Sequence, residues 1–521
     1  MRRGRWLEIC WYAVLSAIAL AANLARATQF YVAPGGNNFN AGTAAAPWAT
    51  LQHAADVVSA GDRVVVKPGN YKGFYLDTSG AAGSPIEFFA EPGVLINVPT
   101  DGAGNRDGIN LESASHVIID GFAVTGMPRA GVRSVGLADD MAEFVTVRNV
   151  RAYNNGYWGI FTGHVNDLLI ENNETSGSTI EHGIYVSNSG DRPVIRGNKS
   201  WGNVRNGIHI NGDAEQDGDG IISNALVSGN TIYNNGVQGG SGINMDGVQN
   251  SRIENNLIYD AHASGISLYQ IDGGGPSSGN VVVNNTIHQA SNGRWAINIK
   301  GIEDDDPTTP GAINNTILNN ILVSQHSLRG AIDISPDSLP GLVSDYNAVI
   351  SRFTTNDTAS VISLAQWRTQ TGQDAHSFVA TPTALFENWA AGDYRLKAGS
   401  PAINAGTNTQ APEVDLFGNP RPAGAVDIGA IEFGAALTAD FNNDGSVNAA
   451  DLAAWSDDFG ATPAAADADG DNDSDGADLL QWQRQLGAGT PVTAIPEPAT
   501  LALAIVSSLL GFIAAAGLRR F

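Results

Sequence analysis

One short phrase recurs along the middle of this chain and constrains its fold more than any other feature. Between residues 117 and 335, an apolar residue, two variable residues and Asn recur, ending at Asn173, Asn198, Asn230, Asn256, Asn285 and Asn320. Gly-Ile or Ala-Ile pairs that open alternating stretches lie between these phrases. The period of about 23 to 35 residues predicts a solenoid, in which each repeat packs only on its neighbours.

The pattern inside each repeat predicts short β-strands joined by turns. Val and Ile alternate with polar residues, Gly and Asn mark the turns, and no repeat holds ten residues of helical periodicity. Asn tolerates left-handed turn geometry, and its amide can bind the equivalent Asn one coil further on. The sequence therefore predicts an all-β fold class, a parallel β-helix with aliphatic residues inside and Asn at the corners.

These repeats resemble the PbH1 repeats of pectate-lyase-like proteins, which implies right-handed winding. Residues 30–71 predict a strand, a Gly/Asn loop, an amphipathic helix that caps the open end of the solenoid, and a second strand. This opening resembles secreted β-helix polysaccharide lyases of the chondroitinase-B-like and family 9 pectate lyase kinds. Residues 394–433 resemble the closing segment of bacterial β-helix surface proteins. We predict a cap with the first coils at 28–116, repeats at 117–335, and last coils with a closing segment at 336–434.

Alignment of seven strands on their Ile predicts two outward columns of side chains. The first column holds Phe161, Tyr185, His209, Asn244, Ser267, Asn298 and Asp333. The second holds Gly163, Ser187, Asn211, Asp246, Tyr269, Lys300 and Ser335. The residues between the columns are apolar or Thr and are predicted to point inward: Thr162, Val186, Ile210, Met245, Leu268, Ile299 and Ile334. Neighbouring coils lie about 4.8 Å apart, so residues distant in sequence would face one groove.

The outward face carries the types of side chain that cleave acidic polysaccharides. A lyase must neutralise a uronate carboxylate, remove the C5 proton and protonate the leaving oxygen. The candidate catalytic residues are Lys300, His209, Tyr269, Asp246 and Arg205. The candidate substrate-binding residues are Asn211, Asn244, Tyr185 and Trp295, the last two by stacking on sugar rings. Arg205 or a calcium ion held by Asp would bind the carboxylate.

The resemblance to known lyases leaves these roles open. In family 9 pectate lyases a Lys is the base and an Asp cluster holds calcium. Lys300 matches by residue type and face, but only Asp246 and Asp213 offer a local cluster. In chondroitinase-B-like enzymes a Lys and an Arg act together, and Lys300 and Arg205 lie three coils apart. A further calcium site in the acidic loops at 212–220 or 302–307 competes with solvated turns.

These observations favour an exported polysaccharide lyase or glycoside hydrolase that acts on an acidic polysaccharide. The alternative is a non-catalytic glycan-binding or adhesive surface or matrix protein, because outward faces of β-helices are polar without any site. The formal net charge of -25 argues against nucleic acid as a partner, since a phosphate backbone requires a basic footprint.

Two twelve-residue stretches near the C-terminus have the spacing of EF-hand-type calcium loops. The first has the ligands Asp440, Asn442, Asp444, the Ser446 carbonyl, Asn448 and Asp451. The second has Asp467, Asp469, Asp471, the Asp473 carbonyl, Asp475 and Asp478. Each loop precedes an apolar helix, and the pair resembles a type I dockerin over residues 437–487. The resemblance implies a cohesin-like partner, and the density of carboxylates predicts that folding requires calcium.

Both ends of the chain carry targeting patterns. Residues 1–27 have basic residues, an apolar stretch and an A-x-A site, which predicts a cleaved signal peptide that contains the one cysteine, Cys10. After a linker at 488–494, residues 495–521 combine Pro496-Glu497-Pro498, a predicted transmembrane helix and two arginines. This tail resembles a PEP-CTERM sorting signal, which implies an exosortase-type enzyme as partner and a location at the cell envelope, the cell surface or outside the cell. A plain tail anchor is the alternative.

Overall fold

The computed structural model describes residues 28–100, 106–301, 311–356, 358–422, 424–434, 437–444, 446–468 and 470–486. These residues form two compact units. The first contains the described residues up to 385 and those between 398 and 434, and the second contains 386–397 and the described residues from 437 on. The predicted signal peptide at 1–27, linker at 488–494 and sorting tail at 495–521 lie outside the described residues. Within the described part, no helix is both long enough and apolar enough to cross a bilayer.

The first unit is built from three long sheets whose strands are all parallel. The first sheet contains Gln29–Val32, Arg63–Val66, Ile86–Ala90, Val117–Asp120, Val145–Arg148, Leu169–Glu171, Val194–Arg196, Leu226–Ser228, Arg252–Glu254, Val281–Val283, Thr316–Leu318 and Val343–Asp345. The second contains Gly69–Lys72, Val94–Val98, Ala123–Thr125, Arg151–Tyr153, Glu174–Ser176, Lys199–Trp201, Thr231–Tyr233, Leu257–Tyr259, Thr286–Gln289, Ile321–Ser324, Ala348–Val349 and Phe378–Val379. The third contains Phe74–Leu76, Ile109–Glu112, Ala130–Val135, Trp158–Gly163, Ile184–Ser187, Ile208–Asn211, Ile243–Asp246, Ile266–Tyr269, Ile297–Ile299, Ile332–Ile334 and Phe353–Thr354.

Between Arg63–Val66 and Phe353–Thr354 the chain visits these sheets in turn, so each coil there contributes one strand to each sheet. Two further parallel pairs join neighbouring coils between the long sheets: Ala142–Glu143 with Val165–Asn166, and Ile222–Ser223 with Val248–Gln249. Aliphatic side chains from all three sheets meet in one continuous core along the solenoid. The predicted all-β parallel β-helix is therefore confirmed for the first unit.

Two consecutive residues form each repeated corner and explain the Asn-Asn and Gly-Asn pairs. The first residue has a left-handed φ between 52° and 64°, which Asn and Gly adopt most readily: Asn172, Gly197, Gly229, Asn255, Asn284 and Asn319. The second residue is the buried Asn of the phrase. Its Nδ2 donates to Oδ1 of the equivalent Asn one coil on, at 2.9–3.2 Å, from Asn173 to Asn347.

Helices close both ends of the β-helix. Leu51–Val57 is capped by the Thr50 side chain, which accepts from the His53 N–H, and it buries Leu51, Ala54 and Ala55. At the other end, Leu364–Thr371 places the buried Trp367 on Phe353 with ring centroids 4.9 Å apart. Short helical turns occur at Ala214–Gln216, Pro336–Ser338 and Pro382–Leu385.

The closing segment packs along the side of the solenoid. The Thr407 N–H donates to Oδ1 of Asn319 at 2.9 Å, and Nδ2 of Asn284 donates to the Asp427 carbonyl at 3.0 Å. Arg421 donates to Oδ1 of Asn255 at 2.7 Å. The left-handed corner asparagines therefore have a second role, because their amides hold residues 398–434 against three successive coils.

The second unit is small. It contains the helices Ala449–Asp458 and Gly476–Gln485, an antiparallel hairpin of Phe386–Asn388 with Asp393–Leu396, and the turn Trp389–Ala391. Its core is formed by Ala439, Val447, Ala468 and Trp482. Each helix begins with a capping box at the end of a predicted calcium loop, Asn448 with Asp451 and Asp475 with Asp478.

The corner ladder gives a direct stability prediction. Asn173→Ala removes the acceptor of the buried Val150 N–H and two hydrogen bonds donated by Nδ2, so we expect a loss of about 3 kcal/mol. Asn172→Gly keeps the left-handed backbone and should change stability by about 0.5 kcal/mol or less. Urea unfolding followed by circular dichroism compares the two variants. Equal losses would contradict the role of the ladder.

Candidate functional site

Strand pairing confirms the two predicted outward columns of the third sheet. In the first column, Phe161, Tyr185, His209, Asn244, Ser267, Asn298 and Asp333 pair successively. In the second, Gly163, Ser187, Asn211, Asp246 and Tyr269 pair successively. Lys300 follows its strand directly, and its N–H donates to the Leu268 carbonyl at 2.9 Å, which keeps it in line. The residues predicted to point inward are buried.

The outward face contains a cavity of about 690 Å³ over its later coils. From the first column it is lined by Asn244, Ser267, Asn298 and Asp333, and from the second by Tyr269 and Lys300. From the turns that precede the strands it is lined by Gly240, Ser241, Ala263, Ser264, Arg294, Trp295 and Arg329. Gln270, Ile271, Gly301 and Thr358 complete the lining.

Small residues at two equivalent positions create this cavity. The positions three and two residues before the aligned Ile hold Gly240-Ser241 in one coil and Ala263-Ser264 in the next. The preceding coil has Arg205-Asn206 there, and the following coil has Arg294-Trp295. Two coils with short side chains therefore lie between coils with long ones, which leaves a space as wide as a sugar residue.

Four of the residues predicted from the sequence line the cavity: Lys300, Tyr269, Asn244 and Trp295. Nδ2 of Asn244 donates to the Tyr269 hydroxyl at 2.8 Å, which orients the phenol. Burial, and then the charge of Asp246, raise the pKa of Tyr269, so its hydroxyl stays protonated at neutral pH. Trp295 is only 2% exposed and its Nε1 donates to Oγ1 of Thr358 at 3.1 Å. Its ring is therefore a fixed wall and leaves little surface for sugar stacking.

Asp246 lies in the predicted column but faces a loop. Its carboxylate accepts from the backbone N–H groups of Ile271, Asp272 and Gly273 at 2.9–3.1 Å. It is 1% exposed, and burial raises its pKa although the three amides oppose that shift. Asp246 thus holds the loop that carries the cavity residue Ile271, and it does not line the cavity itself.

His209 also lies outside the cavity lining, in a buried histidine pair. Nδ1 of His182 accepts from the Asn206 N–H at 3.2 Å, so neutral His182 carries its proton on Nε2. This Nε2 donates to Nδ1 of His209 at 3.2 Å, which leaves the His209 proton on Nε2. Burial lowers the pKa of His209 to about 3 and holds the pKa of His182 well below its ordinary value. Both imidazoles are therefore neutral at physiological pH.

The other predicted residues surround this pair. The Tyr185 ring stacks on His209 with centroids 4.7 Å apart, and its hydroxyl accepts from Nδ2 of Asn211 at 3.2 Å. Arg205 is exposed at the turn before His209 and is absent from the cavity lining. The structure thus separates the predicted residues into a cavity group around Lys300 and Tyr269 and a packed group around His209.

The sequence reasoning missed two cationic residues of the cavity, Arg294 and Arg329. Both stand three residues before the aligned Ile, in the same column as Arg205. The same alignment contains that column, whereas the two predicted columns lie one and three residues after the Ile. Asn298 and Asp333 were placed in the right column without being selected as site residues.

The second unit contains the candidate calcium loops. The carboxylates of Asp473, Asp475 and Asp478 lie within 4.8 Å of one another, close enough to share one cation. Asp451 and Asp478, the last residues of the two loops, are fully buried carboxylates. Asn472, at the sixth position of the second loop, has a left-handed φ of 75°. Asp469 and Gly445 lie outside the described residues. The donors present fit a hard cation with oxygen ligands.

The two loops are linked by reciprocal hydrogen bonds. Nε1 of Trp482 donates to the Asn448 carbonyl at 2.8 Å, and Nε1 of Trp455 donates to the Asp475 carbonyl at 2.9 Å. Asn448 and Asp475 are the ninth residues of their loops, so each helix contacts the equivalent position of the other repeat. The sequence duplication therefore corresponds to a duplicated structure.

Two families of known proteins match the β-helix. The family described as Pel9A-like, right handed beta helix region, matches residues 30–176, and the family described as Beta_helix, right handed beta helix region, matches residues 182–335. The first unit is a pectate-lyase-like right-handed β-helix. Neither match covers the second unit, so the dockerin-like and sorting predictions stay predictions. No curated protein matches the chain in sequence.

Solved structures include related β-helices at low sequence identity. Pectate lyase Pel9A aligns with a TM-score of 0.52 and 17% identity, over 79% of this chain and 98% of that one. A rhamnogalacturonan lyase has a TM-score of 0.42 and 16% identity, over 72% and 95%. An alginate lyase from Paenibacillus sp. str. FPU-7 has a TM-score of 0.37 and 19% identity, over 54% and 94%. The likeness to Pel9A shows the shared fold.

The buried histidine pair predicts how stability depends on pH. His209 stays neutral in the fold down to about pH 3 but takes up a proton below about pH 6.5 when unfolded. The free energy of unfolding should therefore fall with decreasing pH in this window, by about 1.4 kcal/mol per unit for one proton. His209→Gln should make this slope shallower, and His262→Gln, at a half-exposed histidine, is the matched control. Urea unfolding at a series of pH values measures both slopes, and an unchanged slope in His209→Gln would refute the assignment.

Proposed function

We propose that this protein is an exported polysaccharide lyase that cleaves an acidic polysaccharide in the cavity of the third sheet. The observation that carries the proposal is the set of cavity side chains. Arg294 and Arg329 supply two cations beside the amine of Lys300, whereas Asp333 is the one carboxylate among the described lining residues. In a chain of net charge -25, such a cationic cavity favours an anionic sugar.

The geometry supports a β-elimination. Arg294 and Arg329 neutralise the uronate carboxylate, which acidifies the C5 proton. The neutral amine of Lys300 takes that proton, and the C5 electrons form a double bond to C4 as the C4–O bond breaks. The Tyr269 hydroxyl, kept protonated by burial, donates its proton to the leaving oxygen. Base and acid come from adjacent coils of the second column, since Tyr269 ends one strand and Lys300 directly follows the strand that pairs with it.

Hydrolysis fits this cavity less well. Glycoside hydrolases require a pair of carboxyl groups on opposite sides of the scissile bond. Among the described lining residues Asp333 has no second carboxyl opposite it, and Asp246 is bound by backbone amides away from the lining. We therefore favour the lyase over the hydrolase that the sequence left open.

A glycan-binding role without turnover is the second candidate. Trp158, Phe161 and Tyr185 form a half-buried aromatic cluster on earlier coils of the same sheet, with Trp158 and Phe161 stacked at 4.3 Å. Aromatic faces bind sugar rings through their apolar surfaces. This cluster supports polymer binding along the groove, whether or not the cavity cleaves it.

The predicted accessory parts complete the proposal. Residues 1–27 would direct export, and residues 495–521 would be recognised by an exosortase-type enzyme at the cell envelope. The dockerin-like repeat would bind two Ca²⁺ ions through the ligands named above and attach the enzyme to a cohesin-like protein. When bound, calcium would neutralise the carboxylates that converge in each loop.

Substitutions in the cavity test the lyase. We expect Lys300→Ala to lower the rate of cleavage at least 100-fold and Tyr269→Phe to lower it by a similar factor, because each removes one proton-transfer group. Lys199→Ala and Tyr233→Phe, on the second sheet, are the matched controls. The assay follows the ultraviolet absorbance of unsaturated uronate with pectate, alginate and chondroitin. Binding to any of these polymers without product would favour the glycan-binding protein.

Removal of calcium tests the dockerin-like module in the mature chain. Chelation should unfold residues 437–486 while the β-helix stays folded, because the buried carboxylates of Asp451 and Asp478 would repel their neighbours. Fluorescence of Trp455 and Trp482 reports the change, and excess Ca²⁺ should reverse it. Asp478→Ala should weaken the recovery, whereas Asp457→Ala, at an exposed position of the first helix, should not. A module equally ordered with and without calcium would contradict the prediction.

A further inference from the structure

Arg294 and Arg329 occupy equivalent positions on consecutive coils. Each stands three residues before an Ile of the third sheet, and these two, Ile297 and Ile332, pair directly. Parallel pairing places the strands that follow the two arginines about 4.8 Å apart. Both arginines line the same cavity. Two consecutive coils of the β-helix thus each contribute one guanidinium group to the cavity.

Neither guanidinium has an acidic partner within the described residues. Several other arginines of the β-helix are paired, namely Arg129 with Asp107, Arg148 with Asp120, Arg192 with Asp167 and Arg421 with Glu432, whereas Arg205 and Arg352 have no ion pair among the described residues. Arg294 and Arg329 form no ion pair of this kind, although the chain has 53 acidic residues against 28 Lys and Arg. Two arginines that line one cavity, with no acidic partner among the described residues, are groups that an anionic ligand would bind.

The shape of a guanidinium suits a carboxylate in particular. Its N–H donors form a planar fork that binds both oxygens of one carboxylate. Among the described lining residues, these two guanidinium groups stand against the single carboxylate of Asp333, so positive charge is in excess even when the amine of Lys300 is neutral. The net negative charge of the chain repels a polyanion elsewhere, whereas the positive charge of this cavity attracts it.

A bridging metal fits the described groove poorly. Asp246 is the predicted carboxylate nearest the cavity, and its oxygens accept from three backbone N–H groups. Among the residues that the structure describes, the one group of three carboxylates within reach of a shared cation is in the second unit. The groove therefore lacks, in its described part, the acidic cluster that calcium-mediated binding of a uronate requires.

We infer that Arg294 and Arg329 form a clamp that binds the carboxylate of a uronate residue directly, without a metal ion, and so determine the specificity for acidic polymers. The inference deepens the proposed function, since it assumes that the cavity takes a sugar residue. It assigns to the arginine pair the neutralisation that the sequence left to Arg205 or to calcium.

The test compares binding of charged and uncharged forms of one polymer. The probes are polygalacturonate and alginate, each beside the same polymer after reduction of its carboxyl groups to alcohols. The mature protein should bind at least one acidic polymer ten-fold or more tightly than its reduced form, and EDTA should leave this ratio unchanged. Arg294→Gln with Arg329→Gln should bring the ratio close to one while binding of the reduced polymer stays the same. Replacement of both by Lys should restore part of the ratio, because charge returns without the planar fork.

Controls and opposing outcomes separate the clamp from the lyase. Arg192→Gln, which removes an exposed arginine paired with Asp167, should leave the ratio unchanged. Unfolding midpoints of all variants check that the fold is retained. Three outcomes would each overturn the clamp. They are loss of the preference for the acidic over the reduced polymer when EDTA is added, loss of this preference in Arg205→Gln alone, and equal binding of the two polymers by the wild type. A ratio that depends on the arginine pair in a protein that yields no unsaturated product would refute the lyase and leave the clamp standing.

Discussion

In-register parallel stacking is the constraint on which the rest of this structure depends. Each residue of a coil lies over its equivalent in the next, and the asparagine ladder from Asn173 to Asn347 fixes this register at one corner. A buried amide that donates to the next amide and accepts a backbone N–H leaves no unsatisfied group in the correct register. A shift of one residue would break every rung and turn the aliphatic side chains outward. The repeated Asn therefore determines which residues of neighbouring coils pair with each other along the solenoid.

The same register builds the cavity from local choices of side-chain size. Because columns of equivalent residues run along the solenoid, a change from Arg205-Asn206 to Gly240-Ser241 and Ala263-Ser264 removes volume at one place only. The long side chains return at Arg294-Trp295, which contribute to the cavity wall. The core beneath stays aliphatic throughout, so the space costs the fold little. A solenoid can thus acquire a binding site by substitution on its outer face, without any change in its backbone.

The sequence predicted what is periodic and missed what is not. The outward columns from Phe161 to Asp333 and the corner asparagines follow from repetition and are confirmed by strand pairing and by the asparagine hydrogen bonds. The capping helix follows from its amphipathic pattern and is present at Leu51–Val57. The sequence did not predict that the Asp246 carboxylate binds a loop, because the amides that donate to it belong to an irregular segment at 271–273. The packing of His209 against His182 depends on a turn position as well, since His182 stands two residues before Ile184, in the column of Asn206. Arg294 was within reach of the periodic argument, had the turn positions been aligned as the strands were.

The aspartates of the two units show what separates a structural carboxylate from a candidate metal ligand. At Asp246, three backbone N–H groups meet one carboxylate, so donors balance its charge within the protein. In the second calcium loop, the three carboxylates of Asp473, Asp475 and Asp478 converge. Desolvation, and then the charges of neighbouring aspartates, raise the pKa of Asp473. Backbone donors are too few there to balance three charges, so the arrangement favours a cation. The sequence does not show how many N–H donors surround each carboxylate. This balance of donors and carboxylates is the reason that we propose calcium for the second unit and arginine for the cavity of the first.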